Sequence, residues 1–143
     1  MIINTPEQCS KVFPNLAWAG YLKDWEGPAE GERPSAYIVV IEDQRLATAS
    51  HWDQGIMAQT ILLGAVEHGL GGCIIASVKK ENLQKLLNLP DYLKVAIVIA
   101  LGKPIEKVVI DDIDDTGSVI YWRDSEQVHH VPKRKLSELI WRG

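Results

Sequence analysis

The stretch EHGLGGCIIAS, residues 67–77, carries three glycines between a long apolar segment and a short run of strand-forming residues. Glycine weakens both helices and strands, because its backbone has the most conformational freedom to lose on folding. Gly69, Gly71 and Gly72 therefore need a physical reason. Three reasons are open: the end of a helix, a tight turn, or a backbone that must approach a ligand closely.

The segments on either side of this stretch predict a buried helix and several strands. Residues 51–68 are apolar on most faces, which is typical of a helix that is central to the core or also meets a second subunit. Ser50 is placed to cap this helix, and Gly69 is placed to end it in a left-handed conformation. Three continuous apolar runs predict buried strands: 36–41, 73–76 and 93–101.

Shorter elements complete the pattern. Thr5 and Pro6 predict a helix start, with Gln8 completing a capping box. Ser77 is predicted to cap a further helix that ends before Pro90. Residues 18–34 have no clean period and predict a long loop. No repeat or linker divides the chain, so residues 1–143 are predicted to form one domain.

The composition excludes several classes of function. With 46% hydrophobic and 24% charged residues, the chain is globular and long enough to bury a core. Its net charge of −4 argues against a nucleic-acid partner. No apolar run approaches the roughly 20 residues that span a bilayer, and no secretory signal begins the sequence. Cys9 and Cys73 form no C-x-x-C pair and predict reduced thiols in a cytoplasmic protein.

A set of motifs in this order resembles the nitroreductase family of flavoproteins. The resemblance rests on Asp53-x-Gly55-Ile56-x-Ala58-Gln59, Leu62-Leu63-x-Ala65, Gly69-Leu70-Gly71, Leu86-Leu87-x-Leu89-Pro90 and Ala100-Leu101-Gly102-Lys103-Pro104. The loop WAGYLKDWEGPAEGERP and the segment YWRD…HHVPKRKL resemble one short-chain branch of that family. The resemblance implies an α+β, nitroreductase-like fold, in which helices flank a central mixed or antiparallel sheet.

The same resemblance implies an FMN-dependent oxidoreductase. Its flavin would accept hydride from NAD(P)H and pass electrons to a nitroaromatic, a quinone or a related conjugated acceptor. Because the cofactor carries that chemistry, no catalytic side chain is predicted. Family members build the flavin site across a subunit interface, so a homodimer is expected, and the apolar helix of residues 51–68 supports it.

Two groups of residues are candidates for binding the flavin. By resemblance, the backbone of Ile74, Ile75, Ala76 and Ser77 would line the isoalloxazine ring, since small residues allow close approach. The alternative is that the nearby glycines only cap and turn the chain.

A basic cluster is the second group: Lys133, Arg134 and Lys135. In an extended segment the first and third side chains point the same way, so both could contact the FMN phosphate. A solvated basic patch is the alternative, and Arg123 is a further phosphate candidate.

The aromatic residues of the long loop are candidates for binding the substrate. Trp18, Tyr21 and Trp25 are predicted to form a wall or lid over the substrate side of the flavin, because flat rings suit planar acceptors. Packing of these rings against the domain or a dimer partner is the alternative.

No metal site is predicted. His129 and His130 are adjacent in an extended run and point to opposite faces, and the acidic residues 111–115 lack the pattern of a calcium loop.

The family's N-terminal segment, with an arginine and a serine that grip the flavin phosphate, has no counterpart in the sequence. A fold truncated at its N-terminus is therefore expected. The competing hypothesis is a non-catalytic or weakly flavin-binding dimeric domain.

Overall fold

The computed structural model describes residues 1–46 and 51–141. The predicted cap at Ser50 lies outside these residues. The chain divides into two compact units. The first comprises Met1–Trp18 and Gly27–Pro104, and the second comprises Ala19–Glu26 and the chain from Ile105 onward.

The first unit is built on a four-stranded antiparallel sheet. Its strands are β1 (Ile2–Ile3), β2 (Ala36–Asp43), β3 (Gly71–Ile75) and β4 (Leu93–Gly102), in the order β1-β2-β4-β3. Tyr37 on β2 and Cys73 on β3 both lie opposite Ala100 on β4. The predicted strands at residues 36–41 and 93–101 are confirmed, while β3 begins two residues earlier than expected.

Helices cover both faces of this sheet, because alternate strand residues point to opposite sides. Helix α1 (Pro6–Val12) and helix α3 (Lys80–Leu86) pack on one face, through a cluster that includes Val12, Tyr37 and Leu83. Helix α2 (His51–Glu67) packs on the other face, where Ala58 contacts a cluster with Val40 and Ile99. Hydrophobic burial on both sides explains why β2 and β4 are apolar along most of their length.

The helix ends match some of the sequence signals. Thr5 caps α1, since its side chain accepts a hydrogen bond from the Gln8 backbone N–H at 3.3 Å. Gly69 has a φ of +70°, which confirms the left-handed residue after α2. The prediction that Ser77 caps α3 is wrong, because Lys79 holds the cap position. The Ser77 carbonyl instead accepts from Ala17 N–H at 2.9 Å, which keeps this segment extended.

The other two glycines of the opening stretch serve close packing within β3, and neither lies in a turn. A Cβ atom on Gly71 would lie 3.2 Å from the Pro104 side chain. A Cβ atom on Gly72 would lie 2.5 Å from the carbonyl oxygen of Ala100 and 2.8 Å from the Leu62 side chain. Gly72 therefore lets α2 pack closely on the sheet.

The second unit contains a three-stranded sheet and a short helix. Its strands are β5 (Val108–Asp112), β6 (Trp122–Arg123) and β7 (His129–Lys133), in the order β5-β7-β6. Strands β5 and β7 are parallel, and β6 and β7 are antiparallel. Helix α4 (Leu136–Leu139) follows β7.

Within residues 1–46 and 51–141, no helix combines the length and apolar character that crossing a membrane requires. The same residues contain no cluster of three or more histidine, cysteine or acidic side chains able to hold a metal ion.

Candidate functional site

The carboxyl end of β3 leads into an exposed segment of backbone. Ile75 is buried beneath the sheet, whereas Ile74 on the opposite face is 45% exposed. Ala76 and Ser77 follow the strand and are exposed. Their small side chains leave the main chain open to solvent.

The hydrogen bonds of this segment use its carbonyl groups and leave two of its N–H groups unpaired among the described residues. The Ala76 carbonyl accepts from Val78 N–H at 3.0 Å, and the Ser77 carbonyl accepts from Ala17 N–H. In the part of the chain that the structure describes, the N–H groups of Ala76 and Ser77 have no backbone partner. This strand end therefore offers two exposed amide donors to a ligand acceptor.

Trp18 packs inside the first unit. Its ring lies 5.5 Å from the Phe13 ring, centroid to centroid, and Gly27 lies against its five-membered ring. A Cβ atom on Gly27 would lie only 2.6 Å from Trp18 Cδ1. These contacts hold the indole in place through the core.

Tyr21 and Trp25 pack within the second unit. The Tyr21 ring meets Tyr121 edge-on at 4.9 Å, and its backbone N–H donates to the Tyr121 hydroxyl at 3.3 Å. The Trp25 ring lies beneath the Arg123 guanidinium at 4.6 Å. Tyr21 is half exposed, so its ring retains a free face. The three predicted substrate aromatics are thus held by separate sets of contacts.

The basic cluster Lys133, Arg134 and Lys135 lies at the end of β7 and just beyond it, and all three side chains are exposed. Lys135 pairs with Asp112 at 3.2 Å, and this contact is weak because both groups are largely in water. The cluster therefore remains available to an anion.

Arg123 is committed to contacts within its own unit. It pairs with Glu106, whose carboxylate also contacts His129 Nδ1 at 3.0 Å. Nε of Arg123 and Nε2 of His129 are buried without a partner among the described residues. Glu106 was missed by sequence reasoning, because nothing in its neighbourhood distinguishes it from other acidic residues.

His130 connects three segments of the second unit. Its Nδ1 lies 2.9 Å from Asp111 and its Nε2 lies 3.3 Å from Asp124, while its ring stacks on Trp122 at 4.2 Å. Removal from water lowers the pKa of His130, but the hydrogen bonds to Asp111 and Asp124 outweigh it and raise the pKa above the ordinary value. An imidazolium satisfies both carboxylates, since both of its nitrogens donate.

We expect the stability of the second unit to fall as the pH rises through the pKa of His130. A group whose pKa is raised by folding stabilises the fold below its unfolded pKa, which is about 6.5 for histidine, and loses that contribution above its folded pKa. The measurement is urea unfolding of wild type and His130→Gln between pH 5 and pH 8, with His68→Gln as the exposed control. The wild type and the control should lose stability with pH more steeply than His130→Gln. Parallel profiles for all three proteins would contradict this role.

The family model of the nitroreductases matches residues 15–103, which is more than half of the chain. The chain belongs to the nitroreductase family. The match spans α2, β3 and β4, so it includes the exposed strand end described above. The resemblance inferred from the sequence motifs is therefore confirmed.

Solved structures agree with this assignment. A Parabacteroides distasonis protein named for NADH dehydrogenase and NAD(P)H nitroreductase activity is 27% identical, with a TM-score of 0.58 over 75% of this chain. A Bacteroides thetaiotaomicron protein with the same naming is 23% identical, with a TM-score of 0.59 over 75% of this chain. An FMN-dependent nitroreductase of Clostridium difficile R20291 is 21% identical, with a TM-score of 0.58 over 75% of this chain.

The nitroreductase-like α+β fold is confirmed by these similarities. This nitroreductase-family chain spans 61% of the length of the first two proteins and 63% of the third. No functionally curated protein matches the sequence.

Proposed function

We propose that this chain is an FMN-binding oxidoreductase that passes electrons from NAD(P)H to nitroaromatic, quinone or related conjugated acceptors. The observation that carries the proposal is the pair of exposed amide donors at Ala76 and Ser77, at the end of β3 in a nitroreductase-family fold. The Clostridium protein named FMN-dependent and the Parabacteroides protein named for NAD(P)H use support it.

The residues at the strand end fit a flat, hydrogen-bond-accepting ring. Ile74 presents an exposed apolar side chain, while Ala76 and Ser77 leave space over the backbone. Their carbonyl oxygens are already bonded, so the groups they offer are donors. A flavin ring has apolar faces and acceptor nitrogens and oxygens at its edge, which is the complement of this surface.

FMN, when bound, would supply the two-electron chemistry. The proposed role of this chain is to orient the flavin ring through the Ala76 and Ser77 N–H groups and to shield one face of the ring with Ile74. Backbone donors fixed by a strand end need little reorganisation when charge develops on a nearby acceptor. No side chain is needed as an acid or base in this proposal.

The test is FMN titration of wild type and Ala76→Leu, followed by quenching of flavin fluorescence. Position 76 is exposed, so the larger side chain should leave stability unchanged while it blocks the ring. We expect FMN affinity to fall by at least about tenfold, the equivalent of losing one good hydrogen bond or more. Ala29→Leu is the matched control, since Ala29 is an exposed alanine in the long loop. Wild type that fails to bind FMN would favour the weakly flavin-binding domain instead.

We also propose that Lys133, Arg134 and Lys135 bind the FMN phosphate. The chemistry of the donor set supports this, because exposed lysine and arginine groups on consecutive residues suit a dianion. The ion pair of Lys135 with Asp112 is exposed and weak, so it leaves this lysine able to bind a phosphate.

The aromatic loop is proposed to contact the electron acceptor, with Tyr21 and Trp25 as the rings and Trp18 as the packed base of the loop. Trp25→Ala should raise the Michaelis constant for an aromatic acceptor several-fold while FMN affinity stays unchanged, since stacking area is lost. Steady-state kinetics and FMN titration measure the two effects, and Trp25→Phe, which keeps a flat ring, is the control. Loss of flavin or of folding without a change in acceptor kinetics would show a structural role.

A homodimer is the proposed assembly. Helix α2 exposes a stripe of large apolar side chains on the face opposite the sheet: Trp52, Ile56, Leu63 and Val66. Their spacing places them on one side of the helix. A surface row of large apolar side chains of this kind is typical of an interaction surface, and a second copy of the same helix matches it.

A further inference from the structure

A cavity of about 440 Å³ lies on the α1 side of the first unit, apart from the strand end at Ala76 and Ser77. Its wall combines residues of α1, of the loop before β2 and of β2 itself. Those that matter here are Pro6, Cys9, Glu30, Arg33, Pro34 and Tyr37.

Tyr37, a residue of the cavity wall, carries an unsatisfied hydrogen-bond donor. The residue is 0% exposed, and its hydroxyl has no hydrogen-bond partner among the described residues. Burial raises the pKa of Tyr37 well above its ordinary value, so the group remains a protonated phenol. A buried hydroxyl without a partner is unfavourable, and a ligand oxygen would relieve it.

Arg33 brings a positive charge to the same cavity. Its guanidinium lies over the Phe13 ring, 4.1 Å from the centroid, which fixes the orientation of the head group. Its charge acts on the Tyr37 phenol and partly offsets the effect of burial on the pKa of that group. Tyr37 and Arg33 both line this cavity, so a single anion could meet both groups.

The remaining wall selects the kind of anion. Burial raises the pKa of the Cys9 thiol, which stays neutral and contacts the carbonyl of Ser35 at 3.5 Å. Glu30 contributes a negative charge that opposes a doubly charged group such as phosphate. Pro6 and Pro34 add apolar surface.

We propose that this cavity binds a small monocarboxylate with an apolar body. The carboxylate accepts hydrogen bonds from the Tyr37 hydroxyl and the Arg33 guanidinium, a planar pairing that guanidinium favours. The apolar body lies against Pro6 and Pro34. This site is independent of the proposed flavin site.

The test is isothermal titration calorimetry of the 143-residue chain with benzoate, benzamide and inorganic phosphate. Benzoate should bind once per chain. Tyr37→Phe and Arg33→Gln should each weaken it by at least about tenfold, since each removes a hydrogen bond to a charged group. Tyr92→Phe is the matched control and should change nothing, because Tyr92 stacks under Arg45 away from the cavity wall.

Benzamide and phosphate should bind at least about tenfold more weakly than benzoate. Benzamide lacks the negative charge, and the second negative charge of phosphate is opposed by Glu30. Without ligand, Tyr37→Phe should melt at or above the wild-type temperature, since it removes an unpartnered buried hydroxyl. If Tyr37→Phe fails to fold, the benzoate affinity of Arg33→Gln decides whether the proposal holds. Absence of benzoate binding, benzoate affinity unchanged in Arg33→Gln or in folded Tyr37→Phe, or phosphate binding as tight as benzoate would each overturn the proposal.

Discussion

Replacing Gly72 by alanine is expected to lower the free energy of unfolding by about 3 kcal/mol, at the upper end of the cost of overpacking a core. The added Cβ atom would lie 2.5 Å from the Ala100 carbonyl oxygen and 2.8 Å from side-chain carbons of Leu62 and Leu101. The nearest of these atoms is backbone in the central strand of the sheet, so it cannot move without disturbing β4. Chemical unfolding monitored by tryptophan fluorescence measures the change.

Gly64→Ala is the matched control for this substitution. Gly64 lies within α2, and an added Cβ atom would meet nothing within 4 Å. Because alanine favours helix over glycine by about 1 kcal/mol, this variant should be more stable than wild type. Overpacking a core typically costs at least about 1 kcal/mol. A smaller loss in Gly72→Ala would contradict this prediction, because it would show that β3 and β4 move apart at little cost.

Leu63→Glu is expected to dissociate the proposed dimer, with a dissociation constant raised by at least about a hundredfold. Leu63 is 62% exposed at the centre of the apolar stripe of α2. In a two-fold interface the substitution places two carboxylates in one apolar patch, and burying unpaired charges costs several kcal/mol. The fold itself should persist, since this side chain makes no core contact.

Analytical ultracentrifugation checks this result. Wild type should sediment at twice the chain mass of 16.0 kDa, and Leu63→Glu at the chain mass. Leu86→Glu is the control, because it makes the same change on the exposed side of another helix, α3. Wild type that sediments as a monomer would remove the proposed dimer. Equal dimerisation of Leu63→Glu and Leu86→Glu would place the interface away from this face of α2.

Much of the fold could be predicted because its signals are local. Thr5, Pro6 and Gln8 define the start of α1 through bonds within one turn of helix. Gly69 ends α2 because a left-handed residue there strains any other side chain. The strongest strands are continuous apolar runs, since both faces of the sheet are covered.

A long-range contact overrides the local signal at Ser77 and decides the role that the sequence left open for Gly71 and Gly72. Ser77 has the right side chain to cap a helix, yet its carbonyl is bonded to Ala17, sixty residues earlier in the chain. Gly71 and Gly72 resemble a turn in sequence, but Pro104, Ala100 and Leu62 require them inside β3. Local propensity is weak beside such packing.

The sequence by itself determined the family, the three longest apolar strands of the first unit, and the helix ends whose signals lie within a few residues. Only the tertiary structure decided which groups meet. Cys9, Arg33 and Tyr37 come from a helix, a loop and a strand, and their spacing in sequence carries no sign of a shared cavity. The backbone bonds that the carbonyls of Ala76 and Ser77 accept are likewise not visible in the sequence. The physical reason is that hydrogen-bond satisfaction and burial depend on distant neighbours that local sequence does not specify.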